Sequence, residues 1–375
     1  LYQAAVLIKY KNNVAGIDEV TANQAERYLD NHIDEIIQSL EEETFRPQYI
    51  RQVSIPKPNG GLRMIGLPTV RDKIIQLAIV NVLSPIYEKQ FSDDSYGFRP
   101  NRSIHQAITK AQEYMNDGFT WIVAMDLSKF FDMIHHDKLM SEIFKTIKDE
   151  KILHLIRLFL QTESVYHGRI VIRTPNLGAI QGGNISPLLA NIYLDTLDRE
   201  LTRRDLYFTR YADDVTIFLK TKESAQRVLS NISKFIEDKL FLQINHEKTI
   251  VANPVDVNLL GFNFYIDKGE YKSCIPNKSI QKMNLTTINK IDRSITINKA
   301  IKAVNDELRG WTSNYQHADK AISFRQAKAI DRMILEKLYG KFKPDMTIGK
   351  FRNTLYPKNI KKKQLQLVSM EELWR

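Results

Sequence analysis

The chain has 375 residues, 43% of them hydrophobic and 26% charged, with a formal net charge of +10. That length supports two or three domains with a substantial core. No run approaches the roughly 20 apolar residues that span a bilayer, and a single cysteine, Cys274, excludes internal disulfides and cysteine-based zinc modules and fits a cytoplasmic setting.

Residues 1–45 read as helical: Leu29, Ile33, Ile36, Ile37 and Leu40 recur at helical spacing, with Asp18 and Thr21 placed to cap. Residues 49–55 alternate as a strand, Pro56-Lys57-Pro58-Asn59-Gly60-Gly61 is a turn, and Leu62-Arg63-Met64-Ile65 returns as the partner strand. A helix over 70–90 presents Ile74, Ile75, Ala78, Ile79 and Val82 on one face. Helices over 103–116 and 137–162 flank the apolar strand Trp121–Met125, which ends in Asp126. A hairpin over 164–173 precedes Gln181-Gly182-Gly183 and a helix over 186–201, with Ser186 as N-cap and Pro187 at the first helical position. A helix over 222–239 and short strands near 242–244 and 259–265 follow. Beyond Pro276 the period is helical, and the balance shifts: residues 271–375 carry 22 basic and 9 acidic side chains, whereas the first 270 residues are slightly acidic. A basic final third on a near-neutral body points to a polyanion held mainly there.

Tyr211-Ala212-Asp213-Asp214 lies between two apolar β-runs. Adjacent carboxylates at a hairpin turn raise each other's pKa, and a bound divalent cation reverses that effect. Neighbouring strand residues face opposite sides, so only one of the two points fully at a metal unless the turn rotates the other inward. Asp126, at the end of a buried strand, is the candidate third ligand. Hard oxygen ligands suit Mg²⁺ or Mn²⁺ and do not suit zinc. Asp126 and Asp213 could bridge two ions roughly 3.5–4 Å apart, one activating an attacking hydroxyl and the other stabilising a leaving oxygen.

These segments, with Ile55-Pro56-Lys57-Pro58, Gly97-Phe98-Arg99-Pro100, Asp126-Leu127-Ser128-Lys129-Phe130-Phe131-Asp132, Asn245-His246-Glu247-Lys248-Thr249, Leu260-Gly261-Phe262 and Leu308-Arg309-Gly310-Trp311, resemble the reverse transcriptases of bacterial group II introns and their domesticated relatives. The resemblance runs over roughly residues 10–320. It implies an α+β right-hand polymerase: fingers over 1–115 with an N-terminal helical extension, palm over 116–270, an α-helical thumb or maturase-like region over 271–345, and a basic C-terminal extension over 346–375. The implied activity is RNA-directed DNA synthesis from dNTPs on a structured RNA template with a DNA or RNA primer, using two Mg²⁺ ions held by Asp126, Asp213 and Asp214 and the backbone carbonyl of Leu127 or its neighbour.

The same resemblance assigns Lys57 and Arg63 to the incoming triphosphate, Gln181 to the nucleotide and Lys248 to protonation of the leaving pyrophosphate. Phe131 is implied as the block to a ribose 2′-hydroxyl, with Phe130 taking the core, and it argues against an RNA-dependent RNA polymerase. Arg99, Asn101 and Arg102 belong to a template-side element, Leu260, Gly261 and Phe262 to the primer grip, and Lys282, Lys290 and Arg309 to the duplex. Beyond about residue 340 the chain does not align with the family's usual DNA-binding segment. Two alternatives therefore stand beside the intron-type enzyme: a splicing maturase in which RNA binding is the main role, and a domesticated enzyme of phage defence or CRISPR adaptation copying a dedicated RNA.

Overall fold

The N-terminal helices α1 (Tyr2–Lys9) and α2 (Ala25–Glu41) pack with α3 (Val70–Tyr87), and the hairpin strands β1 (Ile50–Pro56) and β2 (Leu62–Leu67) come between α2 and α3 in the sequence. The computed structural model describes residues 1–9, 14–57, 60–172, 174–319, 322, 324–342, 346–356 and 367–373; the hairpin tip Pro58-Asn59 and the tail Lys361-Lys362-Lys363 lie outside them. Thr21 caps a short 3₁₀ turn ahead of α2 as expected. Asp18 does not cap that segment. Its carboxylate accepts from the Val70 N–H at 2.7 Å, tying the first loop to the start of α3. Val82 is exposed, because the buried stripe of α3 follows the i+4 row Ile75, Ile79, Leu83 and Tyr87.

The remaining elements follow in chain order: α4 (Ile104–Asn116), β3 (Trp121–Met125), β4 (Leu127–Ser128), α5 (Phe130–Met133), α6 (His136–Thr146), α7 (Glu150–Gln161), β5 (Ser164–Tyr166), β6 (Arg169–Val171), α8 (Ser186–Arg203), β7 (Tyr207–Tyr211), β8 (Asp214–Leu219), α9 (Lys222–Leu240), β9 (Gln243–Ile244), β10 (Ile250–Ala252), β11 (Asn263–Asp267), β12 (Glu270–Cys274), α10 (Asn277–Arg293), α11 (Ile297–Tyr315), α12 (Phe324–Phe342), α13 (Ile348–Leu355) and α14 (Met370–Leu373). The single helix expected over 137–162 is two, because Asp149 starts a second one by accepting from the Ile152 N–H. Ser186 is the first helical residue rather than the cap, and its hydroxyl turns back to the Ile180 carbonyl at 2.7 Å.

Two compact units result: Leu1–Ala111 with Phe119–Val251, and Gln112–Gly118 with Ala252–Arg375. The division falls ahead of the change in charge and period at 270–276. The first unit holds two four-stranded sheets, ordered β2-β1-β5-β6 and β10-β3-β8-β7. In the second sheet β8 is central, paired antiparallel with β3 (Met125 opposite Val215) and with β7 (Tyr211 opposite Asp214). Helix α8 is buried nearly all round, from Leu188 to Leu201, which makes it the spine of this unit.

In the second unit β11 and β12 form a hairpin, and α10 and α11 pair through Met283, Ile291, Ile301, Val304 and Leu308. The region expected as a basic extension is not free of this unit where it is described. Phe351, Leu355, Leu367 and Met370 are buried, and Asp331 accepts from the Ser369 hydroxyl and the Met370 N–H. Among the described residues no helix is long and apolar enough to cross a membrane.

Candidate active site

Asp126 occupies the gap between β3 and β4, where the chain leaves one sheet and pairs with β9 instead. Its backbone is fixed on both sides. The N–H donates to Thr249 Oγ1 at 3.2 Å, and the carbonyl accepts from the Asn245 N–H at 2.9 Å. Its side chain is fixed as well: Asn245 Nδ2 donates to Oδ2 at 2.8 Å, and Lys248 Nζ lies 3.4 Å from the same oxygen. Residues 245–249 form one tight turn, with the Lys248 and Thr249 N–H groups donating to the Asn245 carbonyl. Asn245 and Thr249 were not foreseen as site residues; the signal was the i, i+3, i+4 spacing of Asn245, Lys248 and Thr249, which puts all three on one side of a turn.

Ala212 closes the opposite hairpin with a left-handed φ of 57°, followed by Asp213 and then Asp214 at the start of β8. The register puts Asp126 one step past Met125 and Asp214 one step before Val215, so both carboxylates leave the same end of the sheet. Beneath the turn lies a charge that sequence reasoning missed. Arg210 is fully buried on β7, and its guanidinium donates to both carboxylate oxygens of Asp198 (2.7 and 2.6 Å), to Asn191 Oδ1 (2.9 Å) and to the Ala212 carbonyl (3.0 Å). Asn191 Nδ2 donates to the Gly97 carbonyl at 2.9 Å. Gly97 in turn abuts the Ala212 backbone so closely that a Cβ there would overlap the Ala212 nitrogen.

Burial pushes the Asp214 carboxyl up to about 6, and the charges of Asp213 and Asp126 add to this while Lys248 opposes it. Solvent still reaches this side chain, so the mutual repulsion is partly screened. Asp213 is also raised, first by burial; its own backbone N–H and the cations Arg63 and Arg210 pull it down, and Asp126 pushes it up. Among the described residues no three His, Cys, Asp or Glu side chains already converge on one ion position. The donor set is nevertheless right for a hard divalent cation: all oxygen, mutually repelling, and with the Lys248 ammonium supplying positive charge at Asp126.

The residues expected around a nucleotide are linked by backbone bonds. The Ala179 N–H donates to the Phe131 carbonyl at 2.7 Å, and two residues on, the Gln181 carbonyl accepts from the Gly66 N–H of β2 at 2.7 Å. Gly182, with φ of 113°, lies against the Gly66 carbonyl where no Cβ would fit. Phe131 is half-buried while Phe130 is in the core, the two separated by the helical turn Phe130–Met133. Arg63, opposite Ile55 on the hairpin, and Lys57 are exposed.

Two expectations need correction. The Arg99 side chain is only 3% exposed. Its guanidinium donates to Glu88 at 3.0 Å and to the Ser92 and Ser95 carbonyls, so it braces the 88–99 segment and does not face a template phosphate. Arg102 pairs with Asp93 and keeps partial exposure, and Asn101 is exposed with φ of 59°. In the second unit Lys290 is already neutralised by Glu307 at 2.6 Å, whereas Lys282 and Arg309 are exposed. The Leu260-Gly261 turn there has positive φ at both residues. Its Gly261 carbonyl accepts from Tyr315, whose hydroxyl also accepts from Ser279, and Trp311 Nε1 donates to the same Ser279 hydroxyl.

A profile of the reverse transcriptase (RNA-dependent DNA polymerase) family matches residues 55–264, more than half of the chain, and spans Asp126, Asp213, Asp214 and Lys248. The chain belongs to the reverse transcriptase family. It is 31% identical over 279 residues to protein YkfC of Escherichia coli K12, covering 64% of this chain and 73% of that one. It is also 31% identical over 321 residues to the group II intron-encoded protein LtrA of Lactococcus lactis, covering 68% of this chain but only 53% of LtrA. Among solved structures, a Candida albicans telomerase complex matches with a TM-score of 0.49 and 12% identity, covering 84% of this chain and 63% of that one. Members of this family generally use divalent metal ions.

The raised carboxylates yield a stability prediction for this reverse transcriptase without metal. Ionising Asp214 costs the folded state more than the unfolded one, so the penalty is absent below the unfolded value of roughly 3.9. It grows as pH rises and is complete above about 6. In EDTA, Asp214→Asn is therefore expected to raise the urea midpoint at pH 7.5, with the gain fading at pH 4. A lower midpoint at pH 7.5 would show that the carboxylates do not destabilise each other.

Proposed function

We propose that the protein extends a DNA or RNA primer with dNTPs on a structured RNA template, with Asp126 and Asp213 holding two Mg²⁺ ions, Asp214 beside them and the Leu127 carbonyl as a further ligand. The observation that carries this reading is the meeting of Asp126, bound by Asn245 and Lys248, with the Ala212-Asp213-Asp214 turn at one end of a single sheet. When bound, the ions would lower the pKa of the primer 3′-hydroxyl and stabilise the leaving oxygen. Manganese would serve the same ligands.

The chain's own side chains do the rest. Arg63, whose charge is felt at Asp213, and Lys57 on the same hairpin would neutralise the triphosphate. Gln181 would pack on the nucleotide, its carbonyl pinned to β2. Lys248 is exposed and only loosely paired at 3.4 Å, free to turn from Asp126 and protonate the departing pyrophosphate. Phe131 would fill the space beside the 2′-carbon. Residues 1–115 are read as fingers and 116–270 as palm, a division that the two units do not follow, since 112–118 and 252–270 belong to the second. The helices over 271–345 are read as the thumb, with Lys282 and Arg309 along the duplex and Leu260-Gly261-Phe262 as primer grip. The basic final third also supports a second reading, a maturase whose main task is to hold a folded intron.

Asp213→Asn is expected to abolish dNTP incorporation while leaving RNA affinity nearly unchanged. Synthesis within tenfold of wild type would sink the metal assignment, and a parallel loss of RNA binding would mean that the variant is misfolded. Splicing activity retained by Asp213→Asn would favour the maturase as the main role.

Phe131→Val is expected to raise the efficiency of rNTP use relative to dNTP in single-nucleotide extension. An unchanged ratio would place the sugar gate elsewhere and return Phe131 to the core.

Salt dependence tests the basic third. Each phosphate contact removed lowers the log–log slope of affinity against salt by about 0.7–0.9. Lys282→Gln and Lys302→Gln, both at exposed positions, are each expected to approach that value. Lys290→Gln should give less, because Glu307 already holds that charge. Equal slopes for wild type and all three variants would move the nucleic acid to another surface.

A further inference from the structure

We propose that Arg210 is a positioning residue for the catalytic turn: its buried guanidinium, anchored on Asp198 and Asn191, holds the Ala212 carbonyl and thereby sets how firmly the following carboxylates bind a divalent cation. The contacts form a closed circuit. Arg210 donates to the Ala212 carbonyl and to Asn191 Oδ1, Asn191 Nδ2 donates to the Gly97 carbonyl, and Gly97 backs directly onto the Ala212 nitrogen. The peptide groups on both sides of Ala212 are thus gripped, the carbonyl by a cation and the amide side by a neighbouring backbone. A pairing that served only to bury charge would end at Asp198, which already takes two of the guanidinium's donors. The remaining bonds go to the turn and to the residue that braces its other side.

The circuit gives the Gly97-Phe98-Arg99-Pro100 segment a role of its own. Arg99 stiffens the loop from below through Ser92 and Ser95, the Tyr96 N–H donates to the Arg210 carbonyl, and Gly97 supplies the flat surface that admits the turn. The segment is a clamp on the metal-binding hairpin. Only the identity of the cation's ligands rests on the polymerase reading.

The test measures Mn²⁺ affinity by electron paramagnetic resonance of the free ion, alongside kcat and KM for dNTP, in Arg210→Met/Asp198→Leu and in Gly97→Ala. The double variant replaces the buried ion pair with apolar side chains, an exchange proteins commonly tolerate. Groups that orient metal ligands typically govern affinity by about 10–100-fold, and a rise in the Mn²⁺ dissociation constant of that size is expected in both variants. The kcat should fall with it while KM for dNTP stays close to wild type, and Arg210→Lys, keeping the charge but losing the planar fork, should fall between. Folded double-variant protein that binds Mn²⁺ as wild type does would overturn the proposal. If that variant does not fold, Gly97→Ala decides alone, and an unaltered dissociation constant there overturns it. Mn²⁺ binding is read without turnover, so a wild-type protein that incorporated no dNTP would count against the polymerase reading and leave this comparison standing.

Discussion

The buried ion pair between Arg210 and Asp198 is the constraint on which the rest of the site depends. Taking a guanidinium and a carboxylate out of water is costly, and removing one partner from such a pair typically costs about 3–5 kcal/mol. The pair is tolerated here because every neighbour is arranged around it: α8 supplies Asp198 and Asn191 from one face, β7 supplies the cation, and the hairpin turn supplies a carbonyl. A sheet held by apolar contacts alone would leave the two-residue turn at its end free to rock. With the guanidinium beneath it, the turn becomes part of the helix–sheet core.

The carboxylates above this base are held in the opposite electrostatic sense. Burial drives both Asp214 and Asp213 toward protonation, the neighbouring carboxylates add to it while nearby cations oppose it, and Asp126 is restrained by an amide and an ammonium. The protein thus carries a locally unfavourable charge cluster on a rigid support, an arrangement that becomes favourable when divalent cations arrive.

Much of this was legible in the chain. The apolar strand ending in Asp126 and the acidic turn between β-runs are short apolar runs ending in carboxylates, and both elements formed where those runs placed them. The hairpin Ile50–Leu67 was marked by its Pro/Gly turn. What stayed hidden was partnership across the fold. Arg210 is one cation in an apolar strand, and nothing nearby in sequence reveals that Asp198, twelve residues back on a helix, faces it. Arg99 reads as a basic residue beside a Phe, which suits nucleic acid equally well; only burial distinguishes a brace from a contact. Lys290 lost its apparent availability to Glu307 on the adjacent helix. Ser186 reads as a cap because Pro187 follows it, but its hydroxyl prefers a carbonyl six residues upstream.

The Asn245–Asp126 bond joins residues 119 positions apart, and β1 reaches its parallel neighbour β5 across a similar span. Both sheets of the first unit are therefore incomplete until distant strands exist. On a ribosome adding about 5–20 residues per second, Asp126 emerges roughly 6–24 s before the amide that restrains it. During that interval the nascent chain carries an unpaired carboxylate and open strand edges, with β3 lacking β8 and β10. The chain's order of synthesis thus leaves the surroundings of Asp126 among the last parts of the first unit to close.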